Sequence, residues 1–162
     1  MERTALQEIV SSHTFNPRAV FIGGLAAGIL DIAAAAVITA LRGGSPFRML
    51  QSIAGGVLGA DTYDGGLSTA VLGLGFHFLI AFTAAAVFHV ASRSIPFLIH
   101  HAVVSGVLYA CAVYAFMNAI VLPLSAFPHK LVYPPMALFI GVTTLIVCVG
   151  LPIALVNRWC LK

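Results

Sequence analysis

The chain has 162 residues, of which 60% are hydrophobic and only 8% are charged, and its formal net charge is +3. A water-soluble domain of this size needs a far more polar surface, so the composition excludes that class and predicts an integral membrane protein. The eight Lys and Arg residues are dispersed and form no basic stripe, which argues against nucleic acid as a partner.

Long apolar runs predict the membrane spans of the chain. Four apolar runs, each long enough to cross a hydrocarbon core of ~30 Å as a helix, lie at 19–41, 67–91, 98–122 and 136–156. They predict an all-α membrane protein, a four-transmembrane-helix bundle that forms a single domain over 1–162. Glu2 and Glu8 precede the first run, which favours a retained span over a cleaved signal sequence. The stretch before Pro17 has an apolar stripe at helical spacing, which predicts a short helix on the membrane surface, with a frayed tail as the alternative.

The first connection contains a further helix. Ser45 and Pro46 form a good helix start, and the apolar residues that follow recur with a period of about 3.6. This pattern predicts an amphipathic helix over 46–59, between helices 1 and 2 of the bundle. It is too short to cross a bilayer, so we expect it along the outer interface or dipping into the mouth of the bundle.

The other two connections differ in length. The second, 92–97, is brief, which predicts that spans two and three are antiparallel neighbours. The third, 123–135, contains four prolines, which predicts an irregular cap on the outer face.

The basic residues indicate an orientation. If the N-terminus is cytoplasmic, five basic residues lie on that side and three on the other. The two sets are Arg3, Arg18, Arg93, Arg158 and Lys162 against Arg42, Arg48 and Lys130. The excess predicts that both termini are cytoplasmic.

Asp31 is the only acidic residue within a span. It lies 11 residues before Arg42, or about 16 Å along a helix, and His77 lies 11 residues after Gly66, at a matching depth. Both residues share a helix face with small residues, which predicts that they meet as a buried polar pair. Such a pair could relay protons or bind a cation. The alternative is a hydrogen bond that fixes two helices together.

A second polar group is predicted at the outer end of the bundle. An outer polar vestibule is one interpretation, and hydrogen bonding within the loop cap is the other. The residues concerned are Arg48, Gln51, Asn118, Ser125 and His129.

Three histidines lie towards the cytoplasmic ends of spans two and three. A short loop between these spans could bring His89 near His100 or His101, which allows a haem or metal site as a minor alternative. Cys111, Cys148 and Cys160 show no metal or redox spacing, so free thiols are expected and no metal ligand is assigned.

Motifs of catalysis are absent from the sequence. It has no phosphate-binding glycine loop, no His-Glu-x-x-His and no paired cysteines, so no catalytic residue is assigned and an enzyme is not indicated. No cofactor is predicted. The leading hypothesis is a non-enzymatic membrane protein, either an accessory subunit of a membrane complex or a small permeation or sensing unit, acting as a homo-oligomer or in a larger assembly. The alternative is a redox protein that binds haem or quinone between its helices.

Three segments carry a resemblance to a known group. LQSIAGGVLG at 50–59, LGFHFLIAF at 74–82 and YAFMNAIVLPLSAFP at 114–128 resemble small four-span bacterial inner-membrane proteins of no established function, loosely termed YagU-like. The likeness covers most of residues 20–156. It implies a bacterial inner membrane as the location and carries over no functional residue.

Overall fold

The computed structural model describes residues 15–127 and 134–161, which are helical almost throughout and contain no strand. The helices are α1 (Pro17–Leu41), α2 (Pro46–Leu58), α3 (Gly66–Ser94), α4 (Phe97–His100), α5 (Ala102–Leu124) and α6 (Pro135–Cys160). A 3-10 turn, Gly59–Tyr63, follows α2. Turns of π-helix lie within α5, at Met117–Val121, and within α6, at Ile146–Gly150.

Local sequence explains where the first two helices begin. The side-chain oxygen of Asn16 accepts a hydrogen bond from the backbone N–H of Arg18, and Pro17 occupies the first turn of α1. At the start of α2, the hydroxyl oxygen of Ser45 likewise accepts a hydrogen bond from the backbone N–H of Arg48, and Pro46 occupies the first turn. A capping oxygen satisfies an N–H that has no partner inside the helix, and proline is already set to a helical φ angle.

Four of the helices in the described part of the chain, α1, α3, α5 and α6, are long and apolar enough to cross a membrane. Large apolar side chains point outward from them, including Val71, Leu108 and Phe139, which are 59%, 60% and 65% exposed. An apolar outer surface of this kind suits contact with lipid chains. The predicted all-α architecture with four long apolar helices is therefore confirmed.

The order of packing differs from the order along the chain. Helix α1 packs against both α3 and α6, and α6 packs in turn against α5. Helices α3 and α5 meet near their connecting turn, where the hydroxyl of Tyr109 donates to the carbonyl oxygen of Ala84 at 2.6 Å and its ring lies 5.1 Å from that of Phe88. Beyond that point they diverge, so the prediction that spans two and three are neighbours holds only near the turn.

Glycines let the helices approach closely, as is usual in membrane bundles. The rings of Phe82 and Phe78 lie over Gly24 and Gly28, so α1 receives aromatic side chains of α3 in the groove of its G-x-x-x-G step. The small face of α1 was expected to meet a small face of α3. It meets these two rings instead, and Ala81 beside them.

Helices α5 and α6 cross backbone to backbone. A Cβ added at Gly106 would lie 2.8 Å from the carbonyl oxygen of Gly150, closer than side chains tolerate. Further along the same pair, the ring of Tyr114 covers Gly141. These contacts hold α5 and α6 together. Helix α1 packs on both α6 and α3, so it connects α3 to this pair.

Two predicted features fall outside the described residues. The first is the surface helix before Pro17, and the second is most of the third connection, which includes His129. Residues 125–127 of that connection are described, and the backbone N–H of Ala126 donates to the carbonyl oxygen of Gly56 in α2 at 2.9 Å. This bond ties the end of α5 to α2.

Candidate functional site

The mid-membrane polar group lies where α1 meets α3. His77 is half-buried, and its Nε2 lies 2.9 Å from the carbonyl oxygen of Gly28. Because a carbonyl only accepts, Nε2 carries the proton and donates it. Asp31 lies three residues beyond Gly28 on α1, and its carboxylate is within electrostatic range of His77. Both side chains therefore lie at one interface, while a hydrogen bond between them stays a prediction.

A third group comes from α6. The thiol of Cys148 is buried, belongs to the π-helical turn at Ile146–Gly150, and is within electrostatic range of Asp31. The sequence analysis treated Cys148 only as a free thiol. The sequence did contain a signal for this proximity. Cys148 lies midway along Pro135–Cys160 and Asp31 lies near the middle of its own helix, so the two residues have similar depths.

The chemistry open to this group is proton exchange. A carboxyl group can gain or lose a proton, and turns of π-helix often lie at functional positions in helices. The described residues contain no set of three His, Cys, Asp or Glu side chains placed to hold a metal ion.

Gln51 belongs to a buried network and not to a vestibule. It is 2% exposed, and its Nε2 lies 3.1 Å from both Gly66 O and Thr69 Oγ1, and 3.3 Å from Thr62 O. In return, the hydroxyl of Thr62 donates to the backbone carbonyl of Gln51 at 2.7 Å. The prediction that Gln51 lines an outer vestibule is wrong, because these bonds direct its amide into the junction between α2 and α3.

The face that α2 presents to α3 is formed by small residues and Gln51. Gln51, Ala54 and Gly55 are its buried residues, whereas Phe47 and Leu58 are 43% and 40% exposed. Small residues and a satisfied amide allow the close backbone contact, and the large apolar residues are left to face outward.

The remaining described members of the predicted vestibule do not converge on one point. Arg48 is exposed, with its guanidinium carbon 5.2 Å from the centre of the Tyr63 ring. The amide of Asn118 donates to Tyr114 O on its own helix at 2.8 Å. Ser125 donates to Leu122 O at 2.7 Å, which supports the interpretation that these groups satisfy hydrogen bonds within the cap.

A cleft does lie at this end of the bundle. Where α3 and α5 diverge, they enclose with α2 a cavity of about 430 Å³ whose walls are almost entirely apolar. A second, more open cavity of about 580 Å³ adjoins it and contains Arg48, Ser45 and Thr39. Ser52 and Phe127 line both cavities.

His89 is fully buried at the opposite end, among the ends of three helices. Its Nε2 accepts from the backbone N–H of Asn16 at 3.1 Å, so its Nδ1 carries the proton and donates to Oδ1 of Asn157 at 2.7 Å. The amide of Asn157 donates to Ile153 O, and that of Asn16 donates to Cys160 O. The network joins the start of α1 and the end of α6 to α3.

This arrangement bears on the haem or metal alternative. Both ring nitrogens of His89 are used within the protein, so neither is left as a ligand. His100 and His101 are exposed, with Nδ1 of His100 2.9 Å from Pro96 O and the ring of His101 against Phe97. The structure does not assemble the three histidines into one site.

The fold and these polar groups define an all-helical, multi-pass membrane protein with a carboxyl group near the middle of one long apolar helix. The chain matches no family model, and no curated protein or solved structure shows significant similarity to it. Its function is therefore argued from its own residues.

Proposed function

We propose that the protein is a non-enzymatic sensing unit of the bacterial inner membrane that responds to protonation at Asp31, within a homo-oligomer or as an accessory subunit of a larger complex. The observation that carries the proposal is the position of Asp31, at the middle of α1 and within electrostatic range of His77 on α3 and Cys148 on α6.

The physical argument concerns the cost of charge. A carboxylate is expensive in a low-dielectric bundle, and protonation or an opposite charge relieves that cost. Asp31 is within electrostatic range of an imidazole from α3 and a thiol from α6, and α1 packs against both helices. Adding or removing one proton therefore changes the interaction of α1 with both of its neighbours, which is what a sensor needs.

The test uses protein in lipid vesicles and the fluorescence of Trp159, the single tryptophan, which lies near the end of α6. We expect the wild-type emission to change between mildly acidic and mildly alkaline pH. Asp31→Asn should fold and lose this change, because the amide cannot ionise. Asp64→Asn, which alters an exposed acid outside the long helices, is the matched control and should keep it.

A purely structural pair predicts a different pattern. Asp31→Asn would then behave as wild type at every pH. Only Asp31→Leu would lower thermal stability in detergent, because leucine offers no hydrogen-bonding group in a low-dielectric setting. An unchanged pH response in the Asn variant would therefore refute the sensing proposal.

The proposed orientation has both termini in the cytoplasm, with α2 along the outer interface, and follows from the five-to-three excess of basic residues. Ser68 and Ser94 are exposed at opposite ends of α3, so single cysteines there, in a background without native cysteines, test it. An impermeant reagent should label position 68 and not 94 in intact cells. The reverse result would invert the orientation. A relation to YagU-like proteins is part of the same proposal.

Quinone binding is the second candidate, favoured by the apolar cavity between α2, α3 and α5. Haem binding has less support because His89 uses both ring nitrogens within the protein. The visible and ultraviolet spectra of the purified protein, before and after addition of a reductant, would reveal either group.

A further inference from the structure

The two adjoining cavities combine features that match one kind of molecule. The outer cavity lies beside the end of α1 and the start of α2, and it contains the cationic side chain of Arg48 and the polar groups of Ser45 and Thr39. The inner cavity is apolar and is reached past Ser52 and Phe127, which line both. A cavity that contains a cationic side chain thus adjoins a more apolar one through the lining residues that the two share.

The depths of the two compartments match the layers of a bilayer. Ile80 lines the apolar cavity and lies 14 residues from Gly66, or about 21 Å along α3, well within a hydrocarbon core of ~30 Å. Arg48 lies on α2, just beyond the end of α1, where headgroups are expected. A ligand that fills both cavities must therefore carry its charge at the interface and its apolar portion in the membrane.

The charge of the outer cavity selects an anion. Within residues 15–127 and 134–161, the Arg48 guanidinium lies over the ring of Tyr63, at 5.2 Å, and forms no ion pair with a carboxylate. Basic pockets between membrane helices are suited to acidic lipid headgroups.

We propose that this cleft binds one anionic glycerophospholipid, with its phosphate at Arg48 and one acyl chain in the apolar cavity between α3 and α5. This site is separate from the Asp31 group and does not depend on the sensing function proposed above.

The walls of the cleft are fixed before a ligand arrives. The Gln51 network holds α2 on α3, and the bond from Ala126 N–H to Gly56 O holds the end of α5 on α2. A preformed cleft binds without the cost of ordering its walls. A lipid in the same leaflet can enter it sideways, whereas a soluble peptide would have to carry its polar backbone into the hydrocarbon layer.

Native mass spectrometry of the detergent-solubilised protein, with added phosphatidylglycerol or with phosphatidylcholine of the same chains, tests the proposal. We expect one saturable phosphatidylglycerol per chain and weaker binding of phosphatidylcholine. Arg48→Gln should weaken the binding of phosphatidylglycerol by about fivefold, the factor that one basic residue near a headgroup supplies. Arg48→Lys should retain most of the affinity. Glycerol phosphate, which has a phosphate group and no acyl chains, should compete poorly.

The apolar cavity is tested separately. Ile80→Trp fills it, and Val87→Trp is the matched control, because Val87 lies on the same face of α3, is 55% exposed and does not line the cavity. We expect Ile80→Trp to reduce phosphatidylglycerol binding and Val87→Trp to leave it unchanged.

Several results would overturn the proposal. Equal binding of both lipids, or no effect of Arg48→Gln, would show that the outer cavity does not recognise an anion. Competition by glycerol phosphate alone would identify a phosphate site. A dimer that Ile80→Trp dissociates, without any change in lipid binding, would assign the cleft to a second copy of the chain.

Discussion

Replacement of Gln51 by glutamate should separate α2 from α3. The Gln51 amide nitrogen faces three oxygens, Thr62 O, Gly66 O and Thr69 Oγ1, at 3.1–3.3 Å. Glutamate is nearly the same size, but its ionised carboxylate donates no hydrogen bond and would place negative charge against two of these oxygens, the carbonyls, in a site that is 2% exposed. Methionine, also of similar size, removes the donor without adding charge.

The magnitudes follow from the geometry. An amide nitrogen has two hydrogens, so at most two of the three contacts are full hydrogen bonds, each contributing about 1 kcal/mol net. Gln51→Met should therefore cost about 2 kcal/mol, or about 4–8 °C in unfolding temperature for a chain of this length. Gln51→Glu should cost about 3–5 kcal/mol at neutral pH, as expected for an unpaired buried charge.

The pH dependence has a definite sign. The folded state of Gln51→Glu disfavours the ionised form of the introduced carboxyl, so folding favours the protonated acid, which can donate one hydrogen bond. The stability of this variant should therefore rise as pH falls, relative to wild type and to Gln51→Met.

Thermal unfolding in detergent, followed by Trp159 fluorescence at several pH values, measures these differences. Val57→Met is the control, because Val57 is on the same helix and 65% exposed, and its substitution should change stability by no more than about 0.5 kcal/mol. If Gln51→Glu were as stable as wild type at neutral pH, or if the glutamate and methionine variants coincided at every pH, the amide would not be the donor that holds α2.

The remaining predictions use the same unfolding assay. Gly73→Ala should lower stability by about 1–3 kcal/mol, because its Cβ would overlap the carbonyl group of Leu50, whereas Gly75→Ala, with open space around it, should be neutral or slightly stabilising; equal effects would refute the close contact. Asn157→Leu should cost about 1–3 kcal/mol by leaving the Nδ1–H of His89 buried without an acceptor, and an unchanged unfolding temperature would show that this bond is not needed.

Local patterns were enough to predict the elements of this fold. Length and hydropathy determine where a helix can cross a membrane, so the predicted spans 19–41 and 67–91 lie within Pro17–Leu41 and Gly66–Ser94. The helix predicted over 46–59 appears as Pro46–Leu58, because a Ser-Pro start and an apolar period are encoded in adjacent residues. Its position at the membrane surface stays a prediction.

The burial of particular polar residues was not predictable in the same way. In a membrane protein, apolar side chains gain little by leaving lipid, so the faces that pack are chosen by small size and by hydrogen bonding. Gln51 was assigned to an outer polar vestibule, yet its side chain is buried where α2 packs on α3. His89 depends on Asn16 and Asn157, which are 73 and 68 residues away in sequence, and no local pattern connects them.

The two polar networks also explain why a cleft exists. Helix α3 is hydrogen-bonded to α2 through Thr69 near its first turn and to α6 through His89 near its last turn. Among the described residues between these two points, its hydrogen bond to α5 is the one that Tyr109 donates. The middle of α3 can therefore lie at a distance from α5 while the hydrogen bonds at Thr69 and His89 stay intact.

That middle segment presents different residues to the two proposed sites. His77 contacts Gly28 of α1 and is within electrostatic range of Asp31, while Phe76 and Ile80 line the apolar cavity. Because one helical segment contributes to both sites, a proton at Asp31 and a lipid in the cleft would act on the same element. If the proton alters lipid affinity by some factor, the lipid must alter proton affinity by the same factor, since linkage between two binding equilibria is reciprocal. Lipid titrations at two pH values should therefore give different phosphatidylglycerol affinities, and an affinity that is the same at both pH values would show that the two sites do not act on each other through α3.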